Sequence, residues 1–177
     1  MTARASAIIW CAYPLSTQSL PQPPNPSSPA VRATMQGNRR RDTRPERSIR
    51  SALHARGMRY RVDFPIRPVA GARPIRPDIV FPRARLAVFI DGCFWHGCPK
   101  HGTQPNRNAH YWTAKLKRNV ERDRRHDVLL RGAGWTVLRI WEHDDVLKAV
   151  DRIECAYDSA SMGLTPIANA ASRARIS

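Results

Sequence analysis

Between Phe89 and Gly102 the sequence reads FIDGCFWHGCPKHG, placing one carboxylate, two thiols, two imidazoles and two adjacent aromatic rings in one short run. Cys93, Cys98 and His101 follow the spacing C-x4-C-x2-H, close enough for one loop to wrap a tetrahedral ion with the thiolate and imidazole donors of structural zinc sites. His143, just past the run WTVLRIW, offers the fourth ligand. His96 is the alternative, ranked lower because it sits beside Trp95 early in the loop, while another strand can close the site. The bland reading of the same residues is two ordinary buried thiols and two surface histidines. Cys11 and Cys155 lie far from the run and read as spare cysteines.

A second set of residues consists of acids on a basic chain. Asp78 opens the apolar run PDIVF, and Asp91 closes the apolar run LAVFI. An acid at the mouth of a buried strand is costly without a partner. If the two runs pair, both carboxylates meet at one sheet edge, where hard oxygen ligands suit magnesium. The competing reading pairs Asp78 with Arg76 and leaves Asp91 to cap the turn before Gly92. Asp123, seven residues after Leu116 in a helical pattern, falls on the inward face. Its natural partner is His96, an acid-oriented imidazole able to act as general base; Arg122, Arg124 or an arginine of the first helix would be structural partners instead. Glu46 either completes a capping box or also reaches the acidic edge.

The elements that must hold these groups are legible from periodicity. DTRPERSIRSALHARG predicts a helix with Thr43 as N-cap, Pro45 in the first turn, Glu46 in the capping box, an Ile49, Ala52 and Leu53 stripe, and Gly57 as its stop. MRYRVDF, PDIVF, LAVFI and WTVLRIW predict four strands, the second and third apolar enough to be covered on both faces. A helix from about Ala109 to Arg131 carries Trp112, Leu116, Val120 and Leu130, and Gly132 and Gly134 end it. A short helix runs from about Asp145 to Tyr157. The fold expected is α/β, a mixed four-stranded sheet flanked by helices. Residues 1–29, Pro/Ser-rich from Pro14 to Pro29, read as a disordered leader, with a later start also open. The domain spans residues 30–157, and 158–177 read as a flexible tail.

The chain has 177 residues, enough for one domain with a core. Lys and Arg number 30 against 14 Asp and Glu, a net charge of +16 that points to a polyanion, nucleic acid ahead of an acidic membrane surface. Lys115, Lys117, Arg118 and Arg122 are expected to contact phosphates. No run approaches the roughly 18 apolar residues of a membrane helix. The short apolar stretch at the start is broken by Pro14 and lacks a clean cleavage site. Cysteines among histidines fit a reducing cytoplasm. Phe94 and Trp95 are adjacent, and neighbours on one strand face opposite ways. On a basic protein beside a metal loop they suit a wedge that unstacks a base step, the plain alternative being core aromatics.

Taken in order, RDTRPE, RPDIVF, VFIDGCFWHGC, RNVERDRR and GWTVLRIWE resemble the very short patch repair (Vsr) endonucleases, over about Ala30 to Cys155. These are bacterial mismatch nickases with a fold like that of type II restriction enzymes. The resemblance implies a restriction-endonuclease-like fold and a magnesium-dependent endonuclease that nicks one strand beside a thymine-guanine mismatch left by deamination of 5-methylcytosine. By position it assigns Asp78 and the carbonyl of Ile90 to magnesium, His96 to water activation, Asp123 to its orientation, and Glu46 to the active site. It assigns Cys93, Cys98, His101 and His143 to zinc, His143 standing where some members have cysteine. At residue 91 some relatives carry a histidine thought to help the leaving group; Asp91 makes a second metal-binding carboxylate the better reading. Phe94, Trp95, Trp112 and Met35 match side chains inserted beside the mismatch. The implied partner is mismatched duplex DNA, met by a monomer in a bacterial cytoplasm at the nucleoid, with mismatch-repair proteins as further partners. The rival classes are a zinc-stabilised DNA-binding module without catalysis and a restriction-type nuclease cutting both strands of matched DNA.

Overall fold

A computed structural model of the chain describes residues 22–25, 28–29, 32–33, 41–103 and 107–163. Helix α1 (Arg44–Ala55) begins as its sequence requires, with Pro45 in the first turn, where a missing N–H costs nothing. Glu46 accepts hydrogen bonds from the Asp42 N–H at 2.8 Å and from Thr43 Oγ1 at 2.9 Å. Thr43 makes no side-chain bond to the helix backbone, and Glu46 takes the N–H of Asp42 rather than that of Thr43, so the expected capping box is not formed. Gly57, with φ +75°, takes the left-handed step that turns the chain away.

The sheet has three strands among the described residues: β1 (Ile79–Phe81), β2 (Leu86–Asp91) and β3 (Thr136–Trp141), in the order β1-β2-β3. β1 runs antiparallel to β2, and β3 runs parallel to it, Ile79 facing Val88 and Asp91 facing Trp141. The expected fourth strand, MRYRVDF, is reduced to a single bridge between Arg61 and Val80. Two features account for this, one in the neighbouring strand and one in the run itself. β1 is confined to three residues by Pro77 and Pro82, and the chain turns at Asp63, whose φ of +52° is incompatible with an extended strand.

The parallel return from β2 to β3 needs a long crossover, and α2 (Ala109–Gly132) supplies it. Its end near Arg131 and the turn at Gly134, φ +78°, agree with expectation. α3 (Val146–Ser161) is capped by Asp145, which accepts from the Lys148 N–H at 3.0 Å, and runs past the expected end at Tyr157. Both sheet faces are covered, as the continuous apolar runs require. On one face Ile79, Phe81, Leu86, Val88 and Ile140 pack against Ile49 and Leu53 of α1 and Val150 and Ile153 of α3. On the other, Val80, Ala87 and Phe89 meet Ile66, Ile75 and Leu130. Leu53 has no exposed surface, so truncating it to alanine costs about 2–5 kcal/mol. No helix among the described residues is long and apolar enough to cross a membrane.

Candidate active site and metal centre

The topology decides where the chemistry gathers. β2 and β3 are parallel and end together, and antiparallel β1 begins at that same end. The residue before β1 is Asp78, the last of β2 is Asp91, and the second after β3 is His143. Three segments distant in sequence thus deliver their polar groups to one edge.

Asp78 accepts the N–H of Ile90 at 2.7 Å, which ties the start of β1 to the end of β2. Burial pushes its carboxyl up to about 6; the Ile90 N–H works against this, and the nearby Glu46 and Asp91 add to it. Arg76, the structural partner weighed for Asp78, bonds to Asp63 instead. Among the described residues no cationic side chain forms an ion pair with Asp78. Glu46, buried at the start of α1, lines the same pocket as Asp78 while its carboxylate accepts from the Asp42 N–H and the Thr43 hydroxyl.

His96 Nδ1 lies 2.6 Å from Asp123 Oδ2 and 3.5 Å from Asp91 Oδ1. Asp123 also accepts from Arg122 Nη2 at 2.9 Å, so His96 and one of the arginines considered for it are engaged together. Burial raises the Asp123 carboxyl, but the hydrogen bonds from His96 and Arg122 outweigh it and hold the group below the ordinary carboxylate range. An ionised acid on Nδ1 fixes the imidazole as the Nδ1–H tautomer, leaving the Nε2 lone pair free.

Asp91 is bound more tightly than its sequence context implied. Arg139 Nη1 donates to both of its oxygens, at 2.8 and 2.9 Å, and Arg139 also bonds Asp127 at 3.0 Å and the Asp123 carbonyl at 3.3 Å. Its guanidinium lies 4.7 Å from the Phe89 ring centre. Burial still pushes the Asp91 carboxyl up despite Arg139, whose own pKa is raised because its acidic partners outweigh desolvation. A cation at Asp91 would have to compete with this guanidinium. Arg139 was not among the residues expected from sequence. Its signal was an arginine inside the otherwise apolar WTVLRIW, a position that demands an acidic partner.

Next to the acids, Cys93, Cys98, His101 and His143 bring one donor atom each within 4.8 Å of one another. Cys93 Sγ lies 2.9 Å from His143 Nδ1 and 3.9 Å from His101 Nδ1; Cys98 Sγ lies 3.8 and 3.9 Å from the same atoms. A tetrahedral ion with bonds of about 2.3 Å to sulfur and about 2.1 Å to nitrogen has S···N edges of about 3.6 Å. Three of the four edges already lie close to that length. Burial pushes the Cys93 thiol up to about 12, with Cys98 and Glu142 adding to it, so two thiolates here need a compensating cation. His143 belongs to this cluster and His96 does not. Gly102 closes the loop: its N–H bonds the Cys98 carbonyl at 2.8 Å, and a Cβ there would fall 2.5 Å from that oxygen. Glu142 anchors the other side, accepting the Cys93 N–H at 2.6 Å.

Phe94 and Trp95 lie in a turn rather than a strand, because β2 stops at Asp91. The alternation expected of strand neighbours therefore does not apply. Both rings are half-buried and touch each other at 4.9 Å between centres, and each meets Trp112 of α2, at 5.5 and 6.0 Å. Lys115 Nζ sits 5.5 Å from the ring centres of Trp95, Tyr111 and Trp112 and donates to the Tyr111 hydroxyl at 3.2 Å. Of the expected phosphate contacts, Lys117 and Arg118 stand exposed without such ties among the described residues, while Arg122 is exposed but bonded to Asp123. Met35 lies outside the described residues.

Comparison with known proteins shows what this chain is similar to. The family model described as DNA mismatch endonuclease Vsr matches residues 27–101. The Type II nicking enzyme V.NaeI of Lentzea aerocolonigenes is 53% identical over 127 residues, 72% of this chain and 76% of the relative. V.XorIIP of Xanthomonas oryzae, also a Type II nicking enzyme, is 41% identical over 113 residues, 63% of this chain and 78% of the relative. The DNA mismatch endonuclease Vsr of Escherichia coli K12 is 37% identical over 103 residues, 58% of this chain and 62% of the relative.

Proposed function

We propose the following reaction for this chain, which belongs to the DNA mismatch endonuclease Vsr family: hydrolysis of one phosphodiester in one strand of duplex DNA, beside a thymine-guanine mismatch left when 5-methylcytosine deaminates. The observation that carries the reading is a half-buried carboxylate with no cationic ion-pair partner among the described residues, Asp78, close to an imidazole held by a carboxylate, His96 on Asp123. Together they offer a seat for a hard cation and a base for water.

The donor set fits magnesium. Asp78 supplies a carboxylate oxygen held up to about 6 by burial and neighbouring acids, a strain that a bound dication relieves. The Ile90 carbonyl and Glu46 are the further oxygens, with Asp91 committed first to Arg139. When bound, the ion neutralises charge developing on the phosphoryl oxygens. Asp123 holds the Nδ1–H of His96, so Nε2 takes the proton of the attacking water as its oxygen bonds phosphorus and the bond to the departing sugar oxygen breaks. Zinc suits the two-thiolate, two-imidazole cluster, which pins the loop carrying His96 to the end of β3. Phe94, Trp95 and Trp112, with Met35, form the wedge, and the exposed Lys117 and Arg118 meet phosphates. The sheet and helices fit a restriction-type nuclease fold acting as a monomer in the cytoplasm, at the nucleoid, with mismatch-repair proteins as further partners.

The test is single-turnover cleavage of matched and thymine-guanine duplexes, with and without magnesium. A nick in one strand of the mismatched duplex that requires magnesium is expected. Binding without cleavage at any magnesium concentration sinks the enzyme reading in favour of a zinc-stabilised binding module. Double-strand cuts in matched DNA replace it with a restriction-type nuclease.

A further inference from the structure

The pocket lined by Asp78 and Glu46 has further lining residues that the reaction above leaves unused. Arg41, Arg76, Val62 and Asp63 line it too, around a volume of about 230 Å³. Arg76 Nη1 donates to the Asp63 carbonyl at 2.8 Å and to its carboxylate at 3.2 Å, and Arg41 Nη1 donates to the same carboxylate oxygen at 3.2 Å. Asp63 holds both from a left-handed backbone, φ +52°, which aspartate adopts more readily than most residues. One carboxylate therefore aligns two guanidinium groups, and Arg41 Nε also lies 3.5 Å from Asp42 Oδ2. Nε and Nη2 of Arg76 and Nη2 of Arg41 make no hydrogen bond among the described residues, and both side chains are well exposed, 48% and 59%.

We propose that Arg41 and Arg76, aligned by Asp63, form a seat for one phosphodiester of the strand being cut, in the pocket that Asp78 and Glu46 also line. The proposal rests on the endonuclease reading. A phosphate approaching Glu46 and Asp78 meets like charge, and a cation alone need not fix its orientation. Two planar guanidinium groups lining the same pocket attract the phosphate and present N–H donors to its non-bridging oxygens. A phosphate held by these guanidinium groups as well as by a dication at the carboxylates is fixed in orientation, and that sets the phosphorus relative to His96.

The experiment measures duplex binding by fluorescence anisotropy with calcium in place of magnesium, at a calcium concentration where no nicking is detected. The mismatched duplexes carry a single neutral methylphosphonate at successive positions around the nick. Arg41→Gln and Arg76→Gln are each expected to weaken binding of the unmodified duplex roughly tenfold or more, as for loss of a hydrogen bond to a charged group. That loss should disappear on the one duplex whose seated phosphate is already neutral. Arg76→Lys should recover only part of the affinity, since it keeps the charge and loses the fork. Melting temperatures of the DNA-free variants should stay near wild type, because both side chains are exposed. Losses equal on every methylphosphonate duplex, or no loss at all, overturn the seat. Wild-type protein that neither binds nor nicks mismatched DNA overturns the endonuclease reading itself, an outcome separate from wild-type activity with unaffected variants.

Discussion

Asp78→Asn should make the protein inactive and, in magnesium-free buffer at pH 8, more stable. The wild-type carboxyl is held at about 6 in the folded protein against an ordinary value of 3.8, chiefly by burial. In the unfolded chain the group ionises freely, so between these two values the native state binds more protons than the unfolded one. Stability then falls as pH rises through that window, and the whole penalty is present above the folded value. A gap of about two pH units at about 1.4 kcal/mol each gives a penalty of about 3 kcal/mol. Asparagine carries no charge to desolvate, and its carbonyl oxygen can still accept the Ile90 N–H now held at 2.7 Å. Urea unfolding of wild type and variant, with zinc kept and magnesium omitted, should therefore separate by up to about 3 kcal/mol at pH 8 and converge near pH 4. Added magnesium should stabilise the wild type alone, as a ligand that binds only the native state does. The reasoning fails if the variant gains nothing at pH 8, or if its gain is the same at pH 4.

Arg139→Met leaves Asp91 and Asp127 without their guanidinium and should cost about 3 kcal/mol, the low end for a broken buried pair because Arg139 is 24% exposed; a fall in melting temperature of only a degree or two would contradict it. Asp91→Asn should likewise lower the melting temperature while leaving the magnesium concentration for half-maximal nicking unchanged, and a marked rise in that concentration would instead make Asp91 a metal ligand. His143→Ala should reduce metal content, read by atomic absorption, and melting temperature together, whereas His96→Ala should keep the metal; the reverse pattern would exchange their roles. His96→Ala should still bind DNA and lose roughly 10²–10⁴-fold in single-turnover nicking, and full activity would remove it as the base.

Local patterns carried the elements whose causes are themselves local. α1 follows from Pro45, the Ile49 and Leu53 stripe and Gly57, and the long crossover helix from apolar spacing and glycine stops; α3 was expected from about Asp145 but not as far as Ser161. The Cys/His cluster was legible because three of its four donors and Gly102 lie within one short run, where spacing alone limits geometry. Other features depended on partners remote in sequence. MRYRVDF has a strand's composition but forms one bridge, since its pairing was decided by a three-residue neighbour between prolines and by the turn at Asp63. The sequence left His96 open between metal and acid; the fold closed this by carrying His143 to the loop on β3 and Asp123 to the imidazole on α2. Asp91 read as a metal ligand because its rival, Arg139, lies 48 residues away and becomes adjacent only when β3 pairs in parallel with β2. Charge and donor type are properties of a residue and can be read in the chain. Which charge meets which is set by strand register and helix placement, and the tertiary structure alone decides that.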